Sequence, residues 1–222
     1  MKLNFNKLMK NSEKLLIYAL PTITKNDLGI NINEFADQTE ILMDKKKLRL
    51  LVTKNCPRSC QGCCNKDWDL DSLPVVNTFD FDEVLITGGE PLSDDNIDKT
   101  VRVIDAINTL HYNKDRKIYI YTADSYGVYQ ALFIADGFTL TLHNKNDLRE
   151  FRWLIDSIYE TKLIDEYIKL KGYPPSLKLN VFKGVTIPEH WNLEHWKVKY
   201  NLEWIKDCPL PKDEVFMRLP II

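Results

Sequence analysis

A chain of 222 residues, 44% apolar and 28% charged, suits a single domain with room for a sizeable core. Its formal charge of −2 argues against a nucleic-acid partner, which would require a basic face. No apolar run is long enough to span a bilayer, and Leu15–Leu20 is too short for a secretory h-region. Five cysteines, three of them clustered, fit a reduced cytoplasm better than a disulfide scaffold.

Residues 1–44 read as an N-terminal extension. Phe5, Leu8 and Met9 with Leu15 and Leu16 suit a short amphipathic helix, and Leu16–Leu20 and Ile41–Met43 suit edge strands. The extension is either a partner-docking or substrate-covering element or, preferably, a segment that blunts the edge of the first core strand. The core, residues 45–187, opens with Leu48–Thr53, an apolar run of strand length. It spills into Cys56-Pro57-Arg58-Ser59-Cys60-Gln61-Gly62-Cys63-Cys64. A second run, Val84–Thr87, opens into Gly88-Gly89-Glu90-Pro91. Strands that each release a loop at their C-terminal end gather reactive groups on one rim of an α/β sheet or barrel. Three thiolates spaced C-x3-C-x2-C can converge on one inorganic centre. A structural zinc or a fully ligated iron–sulfur cube takes four protein ligands, so three leave a position open. Cys64 directly follows Cys63 and is too strained to join the same metal. Cys208 could do so only if the fold returned it to this loop.

A C-x3-C-x2-C loop followed by a strand ending in Gly-Gly-Glu-Pro resembles the radical S-adenosylmethionine (SAM) superfamily. The resemblance implies a radical SAM oxidoreductase in which Cys56, Cys60 and Cys63 bind three irons of a [4Fe-4S] cluster. SAM then chelates the fourth iron, and Gly88, Glu90 and Pro91, with Gly89, line its methionine group. One electron from the cluster would cleave SAM to a 5′-deoxyadenosyl radical that abstracts hydrogen. Around the third cysteine, Gln61-Gly62-Cys63-Cys64-Asn65-Lys66-Asp67-Trp68 is similar to the loop of the glycyl-radical-enzyme activases, with the activase of anaerobic ribonucleoside-triphosphate reductase the nearest type. That likeness implies a glycyl radical enzyme as partner and an electron donor such as a flavodoxin or ferredoxin. Gly62 stands where many members of the superfamily carry an aromatic residue, and Cys64 stands where activases carry an aromatic or histidine. The link from Cys64 to the second strand is too short for a crossover helix.

Beyond the glycine loop, Ser93 suits a helix N-cap with Asp94 and Asp95 in the first turn. Ile97, Val101, Ile104, Ile107 and Leu110 form an apolar stripe that belongs to the core. Ile118–Thr122 is the third strand, ending in Thr122 and Asp124 on the cysteine rim. Thr122 occupies a position that often touches SAM in the superfamily; Asp124 or Ser125 serves equally well as a helix cap. A helix from Ser125 to Ala135 leads to the strand Phe138–Leu142, with His143 and Asn144 at its exit. His143 reads as a loop histidine rather than a cofactor contact. Leu148, Phe151, Leu154, Ile155 and Ile158 mark an amphipathic helix, and Leu163, Ile164, Tyr167 and Ile168 a second, stopped by Pro174-Pro175. Leu177–Phe182 is a further strand.

Residues 188–222 form an aromatic tail. His190 and His195 lack the one-face spacing of a helical zinc pair, and Trp191, Trp196 and Trp204 suit a cover over the open side of the barrel, because the same residues exposed would invite aggregation. Cys208 is either a buried thiol or, with Cys64, a site of redox chemistry. The expected architecture is an incomplete (β/α) barrel of five or six mainly parallel strands, fewer than the eight of a closed barrel. Its lateral opening suits a protein loop as substrate. A radical SAM enzyme acting on a peptide or small molecule, and a non-enzymatic metal-binding module, are the alternatives.

Overall fold

The computed structural model describes residues 46–205 and 208–221. The helix and strands expected within the N-terminal extension lie outside these residues. The strands are β1 (Lys47–Thr53), β2 (Glu83–Gly88), β3 (Lys117–Thr122), β4 (Gly137–Leu142), β5 (Ser176–Phe182), β6 (Trp196–Leu202) and β7 (Glu214–Arg218). The α-helices among the described residues are α1 (Ile97–Leu110), α2 (Ser125–Ala131), α3 (Asp147–Glu160) and α4 (Leu163–Lys171). All strand pairings are parallel and build one open sheet in the order β6-β5-β4-β3-β2-β1-β7. The chain is therefore α/β with an unclosed parallel sheet.

Apolar runs buried on both faces make the central strands. Leu48, Leu50, Leu51 and Val52 of β1, Val84 and Ile86 of β2, and Leu140 and Leu142 of β4 are fully enclosed. Successive helices pack on one another, α1 on α2, α2 on α3 and α3 on α4. The link from β1 to β2 holds no α-helix: after a short 3-10 turn at Cys64–Lys66 it packs Leu73, Val76, Phe79 and Phe81 into the interior.

Seven strands exceed the expected five or six because the tail supplies two. β6 adds to β5 at one edge and β7 to β1 at the other. The edge of β1 is consequently covered by β7, with Arg49 ion-paired to Glu214, rather than left for the N-terminal extension to blunt. Helix α1 begins at Ile97, its cap position is Asn96, and Ser93 instead donates its hydroxyl to the Glu90 carbonyl. Its buried face runs through Thr100, Val103, Ile104 and Ile107, while Val101 is half-buried and Leu110 exposed. Helix α2 stops at Ala131, short of Ala135. Helix α4 ends on Gly172, whose φ of 80° and N–H to Ile168 make the left-handed stop before the prolines are reached.

The large side chains of α3 fix the tail to the core. Phe151 is 0% exposed and meets Trp196 edge-on at 5.3 Å and Trp191 at 6.2 Å. Phe151→Ala is expected to lower the unfolding free energy by about 3–5 kcal/mol, read as a shifted midpoint in urea.

Candidate functional site

Because the strands are parallel, β1 to β4 deliver their C-terminal ends to one rim. The register places Thr53 of β1 beside Gly88 of β2, with an irregularity between Leu51 and Thr53. From there the cysteine loop and the glycine loop leave side by side. The Gly89 N–H donates to the Thr53 carbonyl at 2.7 Å and the Glu90 N–H to the Asn55 carbonyl at 2.9 Å. A Cβ on Gly89 would stand 2.0 Å from the Asn55 carbonyl oxygen, and one on Gly88 2.5 Å from that of Thr53. The absent side chains thus admit the chain's own cysteine loop.

Glu90 is 3% exposed. Its carboxylate accepts from the Thr122 hydroxyl, from Ala123 N–H at 2.8 Å and from Leu92 N–H at 3.3 Å. Burial pushes its pKa up, against the lowering by those three donors. Thr122 in turn accepts from Asp124 N–H at 2.9 Å. Both predicted residues therefore spend their side chains on joining the ends of β2 and β3. Asp124 takes the capping role, accepting from Gly127 N–H at 2.8 Å. Pro91 presents its carbonyl to the Thr100 hydroxyl at 2.7 Å.

Two groups that sequence reasoning missed complete this frame. Asn96, buried at the start of α1, donates to the carbonyls of Glu90 and Asn55 at 2.9 and 3.2 Å, while its own oxygen faces the Thr53 hydroxyl at 3.3 Å. Arg58, inside the cysteine loop, donates to the Ala123 carbonyl at 3.0 Å and pairs with Asp147 at 2.6 Å. Asp147 also accepts from the backbone of His143 and Asn144. A charged residue between two cysteines was the available signal for Arg58; nothing local marks Asn96. Asn65 and Lys66 act the same way, Asn65 donating to the Gly88 carbonyl and Lys66 to that of Cys60 at 2.7 Å.

Cys56, Cys60 and Cys63 are free and half-buried. The Cys56 thiol is pushed up, chiefly by burial, with smaller contributions from Glu90, Cys60 and Cys63. Arg58 faces Cys60. As the chain stands, no group of three or more His, Cys, Asp or Glu side chains among the described residues is arranged to hold a metal ion. The fold does return Cys208 to the loop, and it is bonded to Cys64 with their Cα atoms 5.6 Å apart. That bond occupies both sulfurs and leaves three free thiols on the loop.

The tail reaches the same place. A Cβ on Gly62 would lie 2.4 Å from Trp204 Cγ. The Trp204 ring stacks on His143 at 4.9 Å and 7° and tilts against Phe182 at 4.6 Å. Trp204 thereby lies on the cysteine loop, and His143 is a packed histidine rather than an exposed one. Its pKa is lowered to about 4 by burial, then by Arg58, and its Nδ1 has no hydrogen-bond partner among the described residues. His190 and His195 lie away from this contact, exposed on the loop before β6. No helix among the described residues is long and apolar enough to cross a membrane.

Comparison with protein-family models and with curated proteins gives no match for this chain.

Two outcomes follow from the packing. Gly89→Ala forces the Asn55 carbonyl away and is expected to cost about 1–3 kcal/mol by overpacking, seen as a lower melting temperature. For His143 the unfolded chain takes up a proton near its ordinary pKa of 6.5 while the folded chain resists until about 4. Stability is therefore full above pH 6.5 and falls as the pH drops towards 4. His143→Gln should flatten that part of the stability–pH curve in urea titrations.

Proposed function

We propose that the chain is a radical SAM enzyme of the activase type, taking hydrogen from a glycyl loop of a partner protein. The observation that carries this reading is the division of the five cysteines: three free thiols on one loop, and the remaining two spent on each other. Cys56, Cys60 and Cys63 would hold three irons of a [4Fe-4S] cluster. When bound, that cluster supplies the electron that cleaves SAM into methionine and a 5′-deoxyadenosyl radical, with a flavodoxin or ferredoxin as the source of reducing power.

The chain's own residues supply placement. Hydrogen bonds from Asn65, Asn96, Gly89 and Glu90 keep the glycine loop and the cysteine loop at a fixed separation. The Glu90–Thr122 contact holds the end of β3 in the same frame. Arg58, anchored by Asp147, fastens the middle of the cysteine loop to the Ala123 carbonyl after β3. Trp204 lies over Gly62 of the cysteine loop, backed by His143 and Phe182, and covers one side of that loop with aromatic surface. The open sheet, whose edge strands β6 and β7 do not pair with each other, supports a macromolecular substrate. A chain segment can enter where a closed barrel would admit only a small molecule.

The test is anaerobic reconstitution with iron and sulfide, followed by SAM and a strong reductant. Wild-type protein should release 5′-deoxyadenosine, and Cys56→Ala, Cys60→Ala and Cys63→Ala should each abolish it. Cys64→Ala and Cys208→Ala should largely preserve it. A doublet in the electron-spin resonance spectrum of an added glycyl radical enzyme identifies the activase role. Deoxyadenosine coupled to a modified peptide or small molecule instead replaces the partner, and a four-ligand metal without SAM cleavage overturns the enzyme reading.

A further inference from the structure

All five cysteines of the chain stand together on the C-terminal rim, although Cys208 is 144 residues from Cys64. The topology explains the meeting. Strand β6 ends on that rim at one edge of the sheet, and β7 starts at the opposite edge. Successive contacts mark the path between them. Glu203 pairs with Lys183 after β5 at 2.8 Å, Trp204 lies on Phe182, His143 and Gly62, and Leu210 packs with Leu73 and Phe216. The path is thus fixed to the cysteine loop on both sides of Cys63, through Trp204 at Gly62 and through Cys208 at Cys64.

Cys64 also opens the 3-10 turn whose next two residues are the braces Asn65 and Lys66. A covalent bond at Cys64 therefore restrains the groups that hold the Gly88 and Cys60 carbonyls. The fastening at Trp204 is the weaker one, since that ring remains 40% exposed. Cys208 has a φ of 30°, a backbone conformation uncommon for a residue bearing a Cβ. Cys208 is also only half-buried, within reach of a soluble thiol.

We propose that Cys64 and Cys208 form a thiol–disulfide exchange site for a dithiol reductant, and that its redox state sets how open the three-cysteine loop is. A thiolate of the dithiol attacks Sγ of Cys208, the Cys64–Cys208 bond breaks, and Cys64 leaves as thiolate and takes up a proton. The second thiol of the reductant then displaces Cys208 from the mixed disulfide. Two electrons pass from the dithiol, which becomes a cyclic disulfide, to the protein pair, which becomes two thiols. Oxidised dithiol drives the reverse. With the bond made, the β6–β7 connection is fastened across Gly62 and the turn 64–66 is held; with it broken, the Trp204 contact at Gly62 alone joins that connection to the cysteine loop, and the loop of Cys56, Cys60 and Cys63 becomes more accessible. The inference does not depend on what that loop binds.

The experiment uses the full-length, metal-free chain under nitrogen, equilibrated with mixtures of reduced and oxidised dithiothreitol and then freed of them. Peptide mass spectrometry identifies the bonded pair, and the rates of iodoacetamide modification at Cys56, Cys60 and Cys63 are measured in each state. The expected result is a Cys64–Cys208 bond at the oxidising end and a several-fold faster modification of the other three after reduction. Acrylamide quenching of Trp204, isolated by difference from Trp204→Phe, should rise in parallel. Cys208→Ser should show the fast rates whatever the mixture. Absence of the bond at every poise, a bond between other cysteines, or equal rates in both states overturns the proposal. Failure of SAM cleavage leaves these rates untouched, so the two readings fail separately.

Discussion

Two backbone hydrogen bonds, from Gly89 to Thr53 and from Glu90 to Asn55, join the loop after β2 to the loop after β1. They form only because neither glycine carries a side chain: the space a Cβ would need is occupied by the opposing carbonyls. Everything else on the rim is referred to this junction. Asn96, at the start of α1, donates to the Asn55 and Glu90 carbonyls and so spans the two loops, Asn65 reaches back to Gly88, and Glu90 turns away to fasten β3. A site assembled from separate loops needs its spacing fixed to within a fraction of an ångström, and here the peptide backbone itself sets it.

Burial decides how the charges around that junction behave. Glu90 is almost wholly enclosed, and its carboxylate is matched by three donors, so it serves as a cross-brace. The Arg58–Asp147 pair is also largely enclosed, with side chains 19% and 8% exposed. Such a pair contributes less by attraction than by direction, since both charges lose water and hold their geometry through the additional bonds each makes. Arg58 thereby ties the cysteine loop to the ends of β3 and β4 at once.

The central strands were legible because burial on both faces leaves an unbroken apolar run, as in Leu48–Val52 and Val84–Ile86. The three-cysteine spacing and the paired glycines were legible because they are local. What failed to show were features decided by distant partners. Strand β6 reads Trp-Lys-Val-Lys-Tyr-Asn-Leu, a polar edge whose pairing with β5 is not encoded in its own alternation. In β7, three apolar residues between Glu214 and Arg218 are too few to signal a strand, yet β1 makes them one. Ser93 had the chemistry of a cap, but Asn96 and Ile97 both donate to its carbonyl, so the chain turns once more before α1 begins. Asn96 owes its role to Thr53 and Asn55, more than forty residues away in sequence.

Strand direction makes the tail part of the site. Had β7 run antiparallel, the connection from β6 could have joined the two edges without descending from the rim. Because β7 is parallel to β1, the chain must leave β6 at the C-terminal rim and enter β7 at the opposite end of the sheet. The path past Phe182, His143, Gly62 and Cys64 is the one it takes. An aromatic side chain and a cysteine carried on such a path arrive beside the three free thiols as a consequence of topology. Gly62 leaves room for the indole where a side chain of its own would exclude it. The cysteine loop is thus shaped from above by residues of a strand connection: Trp204 covers it, as an aromatic tail suggested, and Cys208 meets Cys64, the pairing that the cysteine count left open.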